Sequence, residues 1–198
     1  IGGEVLGVLQ VDTLERNKQF NDGDLEVLVS VATQAGIALD NARLHDDALA
    51  QQAIQKDLEL AQQVQLGFLP SSGPEIEHYT FFDYYRAANH IGGDYYDYLE
   101  LKNGTLAVIV ADVVGHGVAA ALLMSKVAAE TRFCLATEPN ASAAINQLNN
   151  NLSRLGLDRF VTFLLAVLNP ETDEVTVVNA GHMAPIHRRA DGTIELVG

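Results

Sequence analysis

The apolar run TLAVIVADVV at residues 105–114 is broken near its end by one carboxylate, Asp112, and leads straight into VGHGVAAALLM, a glycine-punctuated turn that opens a helical pattern. So continuous an apolar stretch reads as a strand buried on both faces. A carboxylate at the buried end of such a strand costs several kcal/mol unless a cation or a partner neutralises it. Asp94 stands nine residues before Asn103 and Asp112 nine after it. If DYYDYLEL and TLAVIVAD pair as a hairpin about the KNG turn, both carboxylates therefore arrive at one end. Two carboxylates meeting there repel each other, and a divalent cation is the ordinary remedy. An oxygen donor set without clustered Cys or His favours Mg²⁺ or Mn²⁺ over Zn²⁺. Gly92 and Gly93, just ahead of Asp94, permit a tight turn and leave room for a hydrated ion. The same residues also have a metal-free reading, in which Gly-Gly-Asp is a turn and Asp112 caps the helix beginning near Gly117. The sequence leaves both open.

Around this hairpin the chain changes character. EVLGVLQVD at 4–12 reads as a strand, and from Asn21 or Asp22, either able to cap, apolar residues Leu25, Leu28, Val31, Ala35, Ile37 and Leu39 recur at helical spacing. The helical pattern continues without Gly or Pro to Leu66, in a heptad frame whose seam is interrupted by Asp40, Asp47, Gln51 and Gln65. This describes either a marginal parallel dimer seam or a connecting helix docked on its neighbours. LPSSGPE at 69–75 ends it. Beyond, YTFFDYYRAA, DYYDYLEL and TLAVIVADVV predict three strands, and GVAAALLMSKVAAETRFCLAT and ASAAINQLNNNLSRLG two helices, with Gly156 as the stop of the second. RFVTFLLAVLNPETDEVTVVNAGH predicts two strands about Asn169-Pro170, and APIHRRADGTIELVG two more about Asp191-Gly192, which reads as a type I′ hairpin turn rather than a ligand. Strands followed by helices and then hairpins indicate an α+β domain with antiparallel sheet.

The 26 acidic residues against 12 basic ones give a net charge of −14, which opposes binding to nucleic acid or to anionic membrane surfaces. No apolar run is long enough to span a membrane, and the amino end lacks a signal-peptide pattern. The single cysteine, Cys134, reads as a buried inert thiol and suits a reducing, cytoplasmic setting. The abrupt start inside a strand-like segment reads as that of a fragment.

Four ordered stretches, IGGDYYDYLEL, LAVIVADVVGHGVAAALLMSKV, FVTFLLAVLNP and VNAGHMAPI, resemble the SpoIIE/RsbU-type branch of the PPM (PP2C-like) serine/threonine phosphatases. GEVLGVLQVDTLERNKQFNDGDLEVLVSVATQAGIALDNARL resembles the last strand and helix of a GAF sensor domain. These resemblances imply a GAF remnant at 1–44, a signalling helix at 45–68, and a PPM domain at 69–198 that is C-terminally incomplete. The implied fold is a sandwich of two antiparallel sheets flanked by helices. They imply two Mn²⁺ or Mg²⁺ ions held by Asp94, Asp112 and the Val113 carbonyl, with Asp94 and Asp112 catalytic through those ions, which activate water for in-line attack on phosphorus without a phosphoenzyme. Asp97, Gly93, Gly115, His116 and His182 are expected to support the ligands or shape the substrate loop. Asp97 falls on the opposite strand face from Asp94. The implied substrate is a phosphoserine or phosphothreonine on a STAS-type anti-sigma-factor antagonist, and the implied partner a second copy through the linker helix. Two departures stand out: Val114 occupies the place of the wider family's general-acid histidine, with His116 two further on, and the later family aspartates do not occur before Gly198. A catalytically incompetent scaffold or dimerisation module is therefore the rival expectation.

Overall fold

The computed structural model describes residues 5–197, which divide into two units, residues 1–57 and 58–198. Helix α1, Asp22–Leu66, is 45 residues long, and the division falls within it. Its start is set by Asn21, whose side-chain oxygen accepts the Gly23 and Asp24 amides at 2.8 and 3.2 Å, while the Asp24 carboxylate accepts the Asn21 amide at 2.9 Å. This reciprocal cap satisfies amides that the first turn would otherwise leave open. The expected strand at 4–12 begins outside the described residues at Glu4, and residues 5–12 form no strand. An apolar segment becomes a strand only where a neighbour takes up its backbone groups, and no strand is found among the described residues of this unit.

The second unit is an α+β domain with two antiparallel sheets. β1 (Asp94–Glu100), β2 (Leu106–Val113), β3 (Val161–Asn169) and β4 (Glu174–Ala180) form one sheet in that order; β5 (Ile186–Arg188) and β6 (Ile194–Leu196) form the other. Alternation along β2 directs Ala107, Ile109, Ala111 and Val113, each at most 1% exposed, toward α2 (Val118–Thr137) and α3 (Ala141–Ser153). Met124, Val127, Ile145, Leu148, Phe163 and Leu165 complete this core, where each large apolar side chain contributes about 1.5–3 kcal/mol by leaving water. Cys134 is buried there, and that burial pushes its thiol up. Asn140 caps α3 by accepting the Ala143 amide at 2.9 Å. After α3 the chain turns at Gly156, with φ 62°.

Two local expectations are corrected. Residues 79–88 form no strand; they meet β1 through side chains, with the Phe81 and Tyr98 rings 5.7 Å apart and those of Tyr85 and Tyr96 6.2 Å apart. The Asp191-Gly192 turn is not type I′, because only Gly192 (φ 88°) takes a positive φ there. The Arg189 amide donates to Thr193 O and the Gly192 amide to Arg189 O, at 2.8 and 2.9 Å. Leu101–Thr105 repeats this pattern with Gly104 at φ 77°. Both are three-residue loops ending in a left-handed glycine.

Candidate active site

β1 and β2 pair in the register Asp94↔Asp112, Tyr96↔Val110, Tyr98↔Val108. Directly opposed residues share a sheet face, so the two aspartates project together from the face away from the helices. Burial, then the Asp112 charge and the hydrogen bond to Asp112, push Asp94 above the usual carboxylate range, while His182 pulls the other way. Thr162 of β3 extends the row beyond Asp112, and its hydroxyl is hydrogen-bonded to His182 Nδ1 at 2.8 Å. Asn179 fixes the His182 backbone from both sides, accepting its amide at 2.8 Å and donating to its carbonyl at 3.1 Å. The imidazole thus has one nitrogen occupied at a fixed point beside the acidic pair.

The aspartates and His182 line an open cleft of about 580 Å³, walled by Tyr85, Tyr96 and Tyr98; His116 is not among its lining residues. Tyr96 donates to Asp83 at 2.8 Å, and burial followed by that bond pushes its phenol up to about 12. Tyr85 has its hydroxyl buried with no hydrogen-bond partner. Burial and then the Asp94 charge push that phenol up as well.

Gly92 and Gly93 set the approach to Asp94. A Cβ on Gly93 would stand 2.8 Å from the Val113 carbonyl oxygen and 3.4 Å from Ala120 Cβ, so only glycine lets the β1 entry, the end of β2 and α2 converge. Gly92 is held by Gln65, which donates to its carbonyl at 2.7 Å and accepts its amide at 2.9 Å. Gln65 is buried within this unit, although the heptad frame puts it in a seam. Asp97 lies on the helix-facing side, 2% exposed, accepting Tyr95 Oη at 2.7 Å, the Tyr98 amide at 2.9 Å and Arg132 Nε at 2.8 Å. Gly115 lies in the turn between β2 and α2 with φ 97°, where a Cβ would meet Arg159 Nη1 at 2.5 Å; His116 is exposed beside it. The α2 N-cap is Gly117, without a side-chain bond, so Asp112 does not cap that helix.

Residues 102–197 match the family model described as Stage II sporulation protein E (SpoIIE). The match covers just under half of the chain, and the α+β architecture of helices on antiparallel sheet fits a PP2C-like fold. The phosphoserine phosphatase RsbU of Bacillus subtilis is 28% identical over 67% of this chain and 39% of its own length; RsbP of the same organism is 24% identical over 72% and 36%. The crystal structure of the RsbU and RsbW domains of a Mycobacterium tuberculosis protein superposes with a TM-score of 0.51 at 28% identity, covering 56% of this chain and 31% of that one. The chain thus spans well under half the length of these relatives.

For this phosphatase fold the implied cofactor is Mn²⁺ or Mg²⁺, and the residues present fit part of such a site. Asp94 and Asp112 are paired oxygen donors, and the Val113 carbonyl oxygen lies beside Gly93; oxygen donors are the ligands hard divalent cations take. Among the described residues no cluster of three or more His, Cys, Asp or Glu side chains could hold a metal. No helix among them is long and apolar enough to cross a membrane. Sequence reasoning passed over Thr162, Tyr85 and the clamp made by Gln65. The alternation of FVTFLLAVLN marks Thr162 as facing away from Phe163, but which strand lies beside it is a tertiary fact.

Proposed function

We propose that the unit is a metal-dependent phosphatase acting on phosphoserine or phosphothreonine in a protein of a bacterial partner-switching pathway. The observation that carries this reading is the direct pairing of Asp94 with Asp112 at one sheet end, within a fold shared with named phosphoserine phosphatases. Asp94 and Asp112 act as metal ligands with the Val113 carbonyl, and Gly93 keeps that carbonyl close. Bound Mn²⁺ or Mg²⁺ supplies a polarised phosphoryl group and a water of lowered pKa; two ions need donors beyond these three. The residues themselves bring opposed carboxylates to one point, hold His182 beside them through Thr162, and leave the cleft open to a protein loop. Asp97 anchors β1 to α2 through Arg132. Gly115 and His116 shape the turn after Val113.

By analogy with RsbU and RsbP, the substrate is a phosphorylated STAS-type antagonist. Residues 1–44 are read as the end of a GAF domain, 45–68 as a signalling helix and 69–198 as the phosphatase. Ile37, Leu44 and Ile54 occupy frame positions on α1 and are 43%, 61% and 61% exposed, which supports pairing of two copies through this helix. The lack of a third carboxylate beside the pair among the described residues favours the second reading, a scaffold that binds metal too weakly for hydrolysis.

Calorimetric Mn²⁺ binding to this chain and to Asp112→Asn, with phosphopeptide hydrolysis followed in the same samples, separates the two. Binding lost in the variant and hydrolysis present in the parent are expected. No binding in either establishes the scaffold.

A further inference from the structure

The backbone of His182 and its Nδ1 are held; its Nε2 is not. Asp94, Asp112 and Thr162 are direct neighbours across β1, β2 and β3, on strands about 4.8 Å apart. His182 continues that row through the 2.8 Å hydrogen bond between its Nδ1 and Thr162 Oγ1, and Asn179 bonds its amide and its carbonyl. Among the described residues nothing bonds to Nε2, and the half-buried ring lines the same cleft as the two aspartates. Beside two carboxylates an N–H is favoured over a lone pair, so Nδ1 accepts from the Thr162 hydroxyl and Nε2 carries the hydrogen. Val114 has no donor in its side chain, and His116 is not among the lining residues. The histidine that the cleft does hold is His182.

We infer that His182 is a catalytic residue whose Nε2–H donates to the serine or threonine ester oxygen of the substrate as that oxygen leaves phosphorus. The inference rests on the phosphatase reading above. Water forms the new P–O bond on one side of phosphorus while the ester P–O bond breaks on the other. The electron pair of the broken bond goes to the leaving oxygen, and the proton that water loses passes through solvent to the alcohol, so ester and water become alcohol and inorganic phosphate. His182 keeps its own proton and meets the charge that collects on the leaving oxygen. Its ring lies beyond Thr162, one strand further across the sheet than Asp112, away from the carboxylates on which water would be activated. One fixed donor aimed at developing charge is worth about 10²–10³ in kcat.

The test is His182→Leu in the same chain, with hydrolysis of a phosphoserine peptide and of p-nitrophenyl phosphate followed in Mn²⁺, and Mn²⁺ affinity read by calorimetry. A serine alkoxide needs a donor to leave, whereas p-nitrophenolate spreads its charge over its own ring. The expected result is a kcat on the phosphopeptide lowered about 100-fold or more, a far smaller fall on p-nitrophenyl phosphate, and unchanged KM and Mn²⁺ affinity. Equal falls on both substrates overturn the inference, since the ring then serves the fold of the site and not the leaving group. An unchanged phosphopeptide kcat overturns it, and so does weakened Mn²⁺ binding, which would make His182 part of the metal site. If the parent hydrolyses neither substrate, the phosphatase reading itself fails and this inference with it.

Discussion

Asp112→Asn in the metal-free protein separates a metal site from an ordinary turn, because the two readings predict opposite signs. Two unit charges 4 Å apart repel by about 4 kcal/mol at an effective dielectric of 20. Asp94 and Asp112 are both exposed, so solvent screening reduces this to about 0.5–1 kcal/mol. Asn keeps the shape and can still bond to Asp94. The variant is therefore expected to melt about 1–4 °C higher than the parent near neutral pH. The pH dependence follows from the raised Asp94. A carboxyl that holds its proton more tightly when folded stabilises at low pH, and that stability is lost as pH rises through its raised pKa. The parent should lose stability across that window, just above the ordinary carboxylate range, and the variant should lose less. Saturating Mn²⁺, at about 100 times its Kd, adds about 2.7 kcal/mol to the parent and nothing to Asp112→Asn. Circular dichroism melts with chelator, then with Mn²⁺, read all of these. If Asp112→Asn destabilises the metal-free chain, the aspartate makes a structural contact and the repulsion argument is wrong.

Three further substitutions probe the scaffold of the site. Gly93→Ala places a methyl 2.8 Å from the Val113 carbonyl oxygen, a backbone clash no rotamer relieves, and is expected to cost about 1–3 kcal/mol in denaturant melts. Arg132→Met leaves the buried Asp97 with two donors instead of three and should cost about 2–3 kcal/mol, lowering the melting temperature by about 5–10 °C. Gln65→Leu leaves both Gly92 backbone groups without their partner, at about 1–3 kcal/mol, and hydrogen exchange at the Gly92 amide should quicken while that of β3 stays unchanged.

The parts of this fold that could be read from sequence are those set by neighbours in the chain. The Asp94↔Asp112 register follows from equal strand lengths about a three-residue loop, so the acidic pair was visible before any coordinates. The α3 helix was marked by the spacing in ASAAINQLNNNLSRLG, and the loop beyond its end by Gly156. Residues 79–88 misled because β-preference describes fitness for a pleated, half-buried surface more than a backbone pairing. Their aromatic side chains use such a surface, with the Tyr85 and Tyr96 rings 6.2 Å apart, while the backbone joins no ladder. The residues at 5–12 misled for a related reason, since an apolar pattern records a wish for burial and not the partner that grants it.

The support of the acidic pair was not legible, because every piece of it is long-range. Gly92 reads from sequence as part of a tight turn with room for a hydrated ion, yet both its peptide groups are held by Gln65, 27 residues earlier. A Cβ there would meet the Tyr85 hydroxyl, and one on Gly93 would meet the Val113 carbonyl. The two residues before Asp94 are thus confined on three sides, by the last turn of α1, by an aromatic segment and by the end of β2. Glycine serves here for close approach and not for conformational freedom, since neither residue takes a positive φ. The last turn of α1 is thereby tied directly to the peptide groups of Gly92, two residues before Asp94. The polar residue that interrupts a helical seam in the heptad frame is thus a clamp on the backbone that leads into Asp94.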